Sequence, residues 1–399
     1  MTTAPAVRTG PAGPPPSIGR AERSLAPDIA RGGMLLFIAL ANVPAHLWGM
    51  GANDYAHNTG QSGADHIALF FEQLVVAERS RPMFAILYGF GIAVMASRMF
   101  ARGMDPKGVR KVLRRRSWWL VAFGFAHAVL LFVGDILAPY GAAGLVALFF
   151  VHLSDKSLRK WLWGSSLYLA LIGLPVMALL SGGGGEPPAE STRPPYVDHL
   201  IDGALVSTVL TVVSVLVALF IPLIIAGLML HRAGWIDHPE AHLPQLKKAF
   251  VSGMAVNVLS SLPVALTALG VWEPSSAVFT AALYLTIAGG MYAGLGYICG
   301  FALLAHRLRG FGRRGVPGAL AAVGERSLTC YLLQSIIMAP LLTEWGFGLG
   351  EDLGYLGAFG FAAATWLVTV LVAVALDKAG RRGPFEVLLR RLTYGPRRA

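Results

Sequence analysis

The sequence predicts an all-α, polytopic integral membrane bundle of about ten transmembrane helices, with N- and C-termini both cytoplasmic. Three observations carry that expectation. Hydrophobic residues make up 55% of the chain and charged residues only 14%, whereas a soluble globular protein carries about 25% charged residues. The mean hydropathy is +0.59, and so few charges cannot cover a water-facing surface for 399 residues. The apolar residues are also gathered into runs near the length, about 20 residues, that a helix needs to cross the hydrocarbon core. Lys and Arg, finally, fall on alternate connections.

Taken in order, residues 1–27 are rich in Pro, Ala and Gly, with Arg8, Arg20 and Arg23. They read as a disordered cytoplasmic tail, because no small-residue cleavage pattern follows the first apolar run. A transmembrane domain is expected over 28–380, with spans near 31–50, 83–101, 117–134, 136–153, 161–181, 203–230, 249–271, 276–304, 318–342 and 355–377. The connection "VGD" between the third and fourth spans is short enough to demand a tight helical hairpin. Residues 65–81, "DHIALFFEQLVVAERSR", are amphipathic and charged at their ends, which suggests a helix at the outer interface or folded over a cavity. Residues 381–399 contain "GPFEVLLRRLTY" and read as a cytoplasmic interfacial helix.

If the N-terminus is inside and the spans alternate, the inner segments hold 29 of the 33 Lys and Arg, and the outer loops hold three, Arg79, Arg81 and Arg193. That is the positive-inside pattern. The net charge of +11 is therefore topology charge that also favours anionic lipid, and no nucleic-acid partner is needed. "GFGRRG" (310–315) matches a dinucleotide fingerprint in letters only, since it follows a span and opens no βαβ unit. Walker A and H-E-x-x-H sequences are absent. Neither a metal nor a tightly bound cofactor is expected. Cys299 and Cys330 both sit in apolar runs and imply no disulfide framework.

The polar residues inside the spans are the candidates for chemistry. His127 lies nine residues beyond Trp118, about 13 Å up a straight helix and so near mid-bilayer. Ionisable groups at that depth face a bundle interior or a water-filled path. Asp135 lies eight residues on, about 12 Å further along the same axis, so a direct His–Asp bond is not expected and the two mark points on one polar path. Plainer roles stand beside these. A buried histidine can bond a neighbouring helix for roughly 0.6 kcal/mol, and Asp135 can cap the fourth span. Asn42 in the first span and Glu325, Arg326, Thr329, Tyr331, Gln334 and Ser335 in the ninth add to the buried polar set.

"RRRSWWLVAFGFAHAVLLFVGDILAPYGAAGL", "GERSLTCYLLQSII" and "GPFEVLLRRLTYG" resemble the YeiB-type bacterial membrane proteins, a family of unknown function (domain of unknown function 418). "DIARGGMLLFIALANV" and "RPMFAILYGFG" fit its first two spans, so the resemblance covers nearly the whole chain. His127, Gly134, Asp135 and Tyr140 match the family pattern. Glu325 stands where a basic residue is common, and Cys330 where asparagine is. The family is similar, remotely, to transmembrane acyltransferases of the heparan-α-glucosaminide N-acetyltransferase type.

That likeness implies transfer of an acyl group from cytosolic acyl-CoA to an extracytoplasmic glycan or lipid-linked acceptor, in a bacterial cytoplasmic membrane. His127 and Asp135 are then the catalytic candidates, and Asn42, Tyr140, Tyr331 and Gln334 the substrate-binding ones. The phosphates of coenzyme A need basic groups, for which Arg110, Arg114, Arg115, Arg307, Arg313 and Arg314 are candidates. His46, His57 and His66 are alternative bases. A transporter with a mid-membrane polar path and a non-catalytic membrane protein remain as rivals, and a homodimer is left open.

Overall fold

The computed structural model describes residues 25–47, 62–177 and 196–395, and every regular element among them is helical. Helix α1 (Ala26–Asn42) runs into a 3-10 turn, Val43–His46. Then come α2 (Gly63–Val75), α3 (Ser80–Ala101), α4 (Pro106–Leu130), α5 (Leu137–Ala147) and α6 (Asp155–Tyr168). The second half holds α7 (Tyr196–Leu216), α8 (Ile221–Arg232), α9 (Leu243–Ala268), α10 (Ser276–Arg307), α11 (Gly315–Glu325), α12 (Ser327–Leu342), α13 (Tyr355–Lys378) and α14 (Pro384–Tyr394). Most of the expected tail, His57 and Arg193 lie outside the described residues.

Among the described residues, six segments are long and apolar enough to cross a membrane: Ala26–His46, Gly63–Ala101, Tyr196–Leu216, Leu243–Ala268, Ser276–Arg307 and Tyr355–Lys378. Helices α5, α8 and α12 are apolar but shorter. The packing is inverted relative to a soluble protein. On α7, Leu205, Val209, Val212 and Leu216 share one outward, exposed face, while Gly203, Ser207 and Ser214 are buried. Such an apolar stripe would be a liability in water, and small residues on the inner face let membrane helices approach closely. Helices α9 and α10 do so at Gly253, where an added Cβ would come within 2.7 Å of Gly296 Cα.

Three expected elements are broken. The span 203–230 divides into α7 and α8, with Ala218 between them at φ 54°. Pro222, lacking an N–H, sits in the first turn of α8, where none is required. The span 318–342 divides into α11 and α12 at Arg326, which is buried and tied to Ala322 O (3.0 Å), Asp377 Oδ1 (3.1 Å) and Arg381 O (2.7 Å). The third break corrects the expected interfacial helix at 65–81.

Helix α2 descends into the bundle. Its start is fixed at the far ends of α9 and α13 by His66 Nδ1 on Ala268 O (3.0 Å) and by Leu356 N–H on Asp65 Oδ1 (2.8 Å). Its end is held by Asn257 Nδ2 on Leu74 O (2.8 Å) and by Tyr297 O–H on Val75 O (2.9 Å). Asn257 is eleven residues from the end of α9, about 16 Å along it. The chain then turns through Glu78, at φ 59°, into α3. Arg79, 0% exposed, lies inside the bundle on Asn257 Oδ1 (2.5 Å) rather than in an outer loop. At the basic end, α14 docks through Glu386, which accepts from Leu328 N (2.8 Å) and Thr329 N (3.0 Å) at the start of α12.

Candidate functional site

The hairpin of α4 and α5 brings His127 and Asp135 together. His127 Nδ1 lies 2.7 Å from Asp135 Oδ1, and the residues are 4% and 5% exposed. This corrects the expectation of two separate points. A straight helix would carry Asp135 away, but α4 ends at Leu130 and the chain reverses through 131–136, so an eight-residue offset becomes a contact across the hairpin. The N–H groups of Leu131 and Phe132 both close on His127 O, at 2.9 and 3.0 Å, which terminates the helix there. Gly124 permits the approach, since a Cβ on it would collide with Ala138 N and the Asp135 carboxylate.

Asp135 also accepts from Ala138 N at 2.8 Å, capping α5, so the capping role and the histidine contact coexist. If the carboxylate is ionised it only accepts, and His127 then donates from Nδ1. The other ring nitrogen, Nε2, is buried with no hydrogen-bond partner among the described residues. Buried polar atoms without partners call for an explanation. Tyr331 O–H points at Asp135 Oδ1 from 3.4 Å, and its ring lies 5.1 Å from that of His127.

The other candidates divide. Tyr140 is buried near the pair, stacked on Phe84 (4.8 Å), and donates to Arg81 O (2.7 Å). Gln334 Nε2 donates to Leu35 O (3.0 Å), a bond between α12 and α1. Asn42, half-buried at the end of α1, bonds neither member of the pair. Arg110, Arg114 and Arg314 are exposed. Arg115 donates to Leu392 O of α14 (2.9 Å), and Arg313 pairs with Glu325. His46 is buried, its ring 4.8 Å from Phe132, which lies 6.3 Å from His127.

A cavity of about 300 Å³ opens at the basic end, and Arg31, Arg98 and Arg116 line it together with Tyr88, Phe84 and Glu325. None of the five arginines above is part of its lining. Arg116 lies over the Tyr88 ring, 5.8 Å from its centre. Phe84 lines the cavity and stacks on Tyr140, which lies outside its lining. Sequence reading missed these arginines because topology charge hides them among their neighbours. A second, smaller cavity of about 60 Å³ is lined by Glu78, Arg81, Leu219 and Phe220, where the α2–α3 and α7–α8 breaks meet.

Comparison with known proteins agrees with the sequence resemblance. Residues 230–396 match a family described as "Protein of unknown function (DUF418)". The chain is 28% identical over 397 residues to the uncharacterized protein YeiB of Escherichia coli, spanning 93% of this chain and 96% of that one. It is 26% identical over 369 residues to the uncharacterized protein YxaH of Bacillus subtilis, spanning 84% and 83%. The second part of the chain thus matches that family's model, and the chain is similar over most of its length to YeiB and YxaH.

Proposed function

We propose that the protein is a ten-span enzyme of the bacterial cytoplasmic membrane, with both termini cytoplasmic. It transfers an acyl group from cytosolic acyl-CoA to an extracytoplasmic or lipid-linked acceptor. The observation that carries this reading is the buried His127–Asp135 pair with Nε2 left unpartnered. In the reaction, His127 Nε2 takes the proton of the acceptor hydroxyl or amine as that group attacks the thioester carbon. The new acyl bond forms, the carbon–sulfur bond breaks, and the leaving thiolate takes the proton back from the imidazolium. Asp135 orients the ring and stabilises its charged form; positioned bases of this kind contribute about 10²- to 10⁴-fold. The donor enters by the cavity at Arg31, Arg98 and Arg116. Purified protein given acetyl-CoA and a panel of acceptors tests this. Acceptor-dependent release of free thiol supports it, and no release with any acceptor counts against it.

A carrier is the second reading. Helices broken near the middle of a bundle are typical of transporter binding sites, and two of the breaks here meet at one small cavity. In that case His127 and Asp135 would relay protons. Proton uptake by protein-loaded liposomes without thiol chemistry would favour it.

A further inference from the structure

Three buried ring nitrogens at the end of the bundle opposite the basic cavity have no hydrogen-bond partner among the described residues: His127 Nε2, His199 Nε2 and Trp345 Nε1. His199 is in the first turn of α7, and Trp345 follows α12. The two rings lie 5.2 Å apart, and Tyr196 joins them at 4.8 Å from Trp345 and 5.7 Å from His199. This three-ring group is fastened to the catalytic hairpin. Tyr196 O–H donates to Leu130 O (2.8 Å), three residues past His127. Two turns of α7 beyond Tyr196, Gly203 rests against Ala128 O, where a Cβ would come within 2.5 Å. On the hairpin side, Phe132 lies between the rings of His46 and His127, 4.8 Å from the first and 6.3 Å from the second.

We propose that Tyr196, His199 and Trp345 form the subsite for the acyl acceptor, and that this acceptor carries several hydroxyl groups on a ring. The inference rests on the reading of His127 as the base. Indole N–H only donates, so Trp345 needs an oxygen, whereas His127 Nε2, with Nδ1 protonated, needs a proton donor. A hydroxyl supplies both kinds of partner, and a protonated amine supplies donors only. The aromatic faces supply the apolar platform for a ring. Leaving such buried nitrogens unsatisfied is costly, so a ligand group or water completes them.

The test is saturation-transfer NMR on the full-length protein in detergent, with methyl glucoside and ethylamine as probes. Methyl glucoside should receive saturation from the protein. Trp345→Phe keeps an aromatic ring and removes one donor, and its binding should be about fivefold weaker, the worth of one hydrogen bond; His199→Ala should behave likewise. No transfer to methyl glucoside, equal transfer in Trp345→Phe, or transfer to ethylamine alone would overturn the proposal. Melting curves of each variant show that the fold is kept. Because binding needs no turnover, sugar binding without thiol release would reject the acyltransferase and keep the subsite.

Discussion

Asp135 accepts two buried hydrogen bonds, from His127 Nδ1 at 2.7 Å and Ala138 N at 2.8 Å; the Tyr331 contact at 3.4 Å is too long to weigh. Hydrogen bonds to a charged group contribute about 1.5–3 kcal/mol each, so Asp135→Ala should cost about 3–6 kcal/mol. Interhelical bonds of neutral side chains in membranes are weaker, at most about 1.7 kcal/mol each and so about 3.4 kcal/mol for two, and a loss above that limit would mark the carboxylate as charged. Asp135→Asn separates geometry from charge. Its amide oxygen can still accept from Ala138 N, and its amide nitrogen then donates to His127 Nδ1. The imidazole must in that case move its proton to Nε2, at a cost of about 1–2 kcal/mol, the difference between charged and neutral bonds. That tautomer has no lone pair where the base is needed. Thermal melting reads the first effect, and nitrogen NMR of protein labelled at histidine reads the second. An Asp135→Ala protein as stable as wild type, or a wild-type His127 protonated only at Nε2, would refute the bond and everything built on it.

Three other perturbations follow from the same contacts. Gly89→Ala should destabilise by about 1–3 kcal/mol, the usual cost of overpacking, because its Cβ would strike the Ile224 backbone, while Gly91→Ala meets only the end of the Arg31 side chain; matched melting curves compare them. Arg116→Ala should weaken coenzyme A binding by calorimetry more than the double change Arg114→Ala with Arg115→Ala, since only Arg116 lines the cavity. The difference should narrow in high salt as the charges are screened. Cysteine introduced at Ser191 should react with an impermeant thiol reagent on intact cells, and cysteine at Ser157 should not; equal labelling contradicts both termini being inside.

Much of this was legible in the chain. The composition demanded apolar solvation, "VGD" demanded a hairpin, and His127 stood out as an ionisable group among apolar neighbours. The apolar runs are not single straight rods. The helix axis that would separate His127 from Asp135 ends at Leu130, and the short connection already implies a fold back. The break at Arg326 was foreshadowed by "GERS", two charges inside a span, and that at 217–220 by Pro222. Arg79 was assigned to a loop because its partner, Asn257, is 178 residues away, and no local pattern announces such a bond.

The central claim is that His127, held by Asp135, is the base for acyl transfer. Single-turnover transfer from acetyl-CoA, measured beside thermal stability for wild type and His127→Ala, tests it most directly. The expected result is a fall of about 10²- to 10⁴-fold in rate with coenzyme A still bound and a melting loss that leaves the protein folded. A His127→Ala protein that melts early yet transfers at the wild-type rate would make this histidine a structural tie and contradict the account.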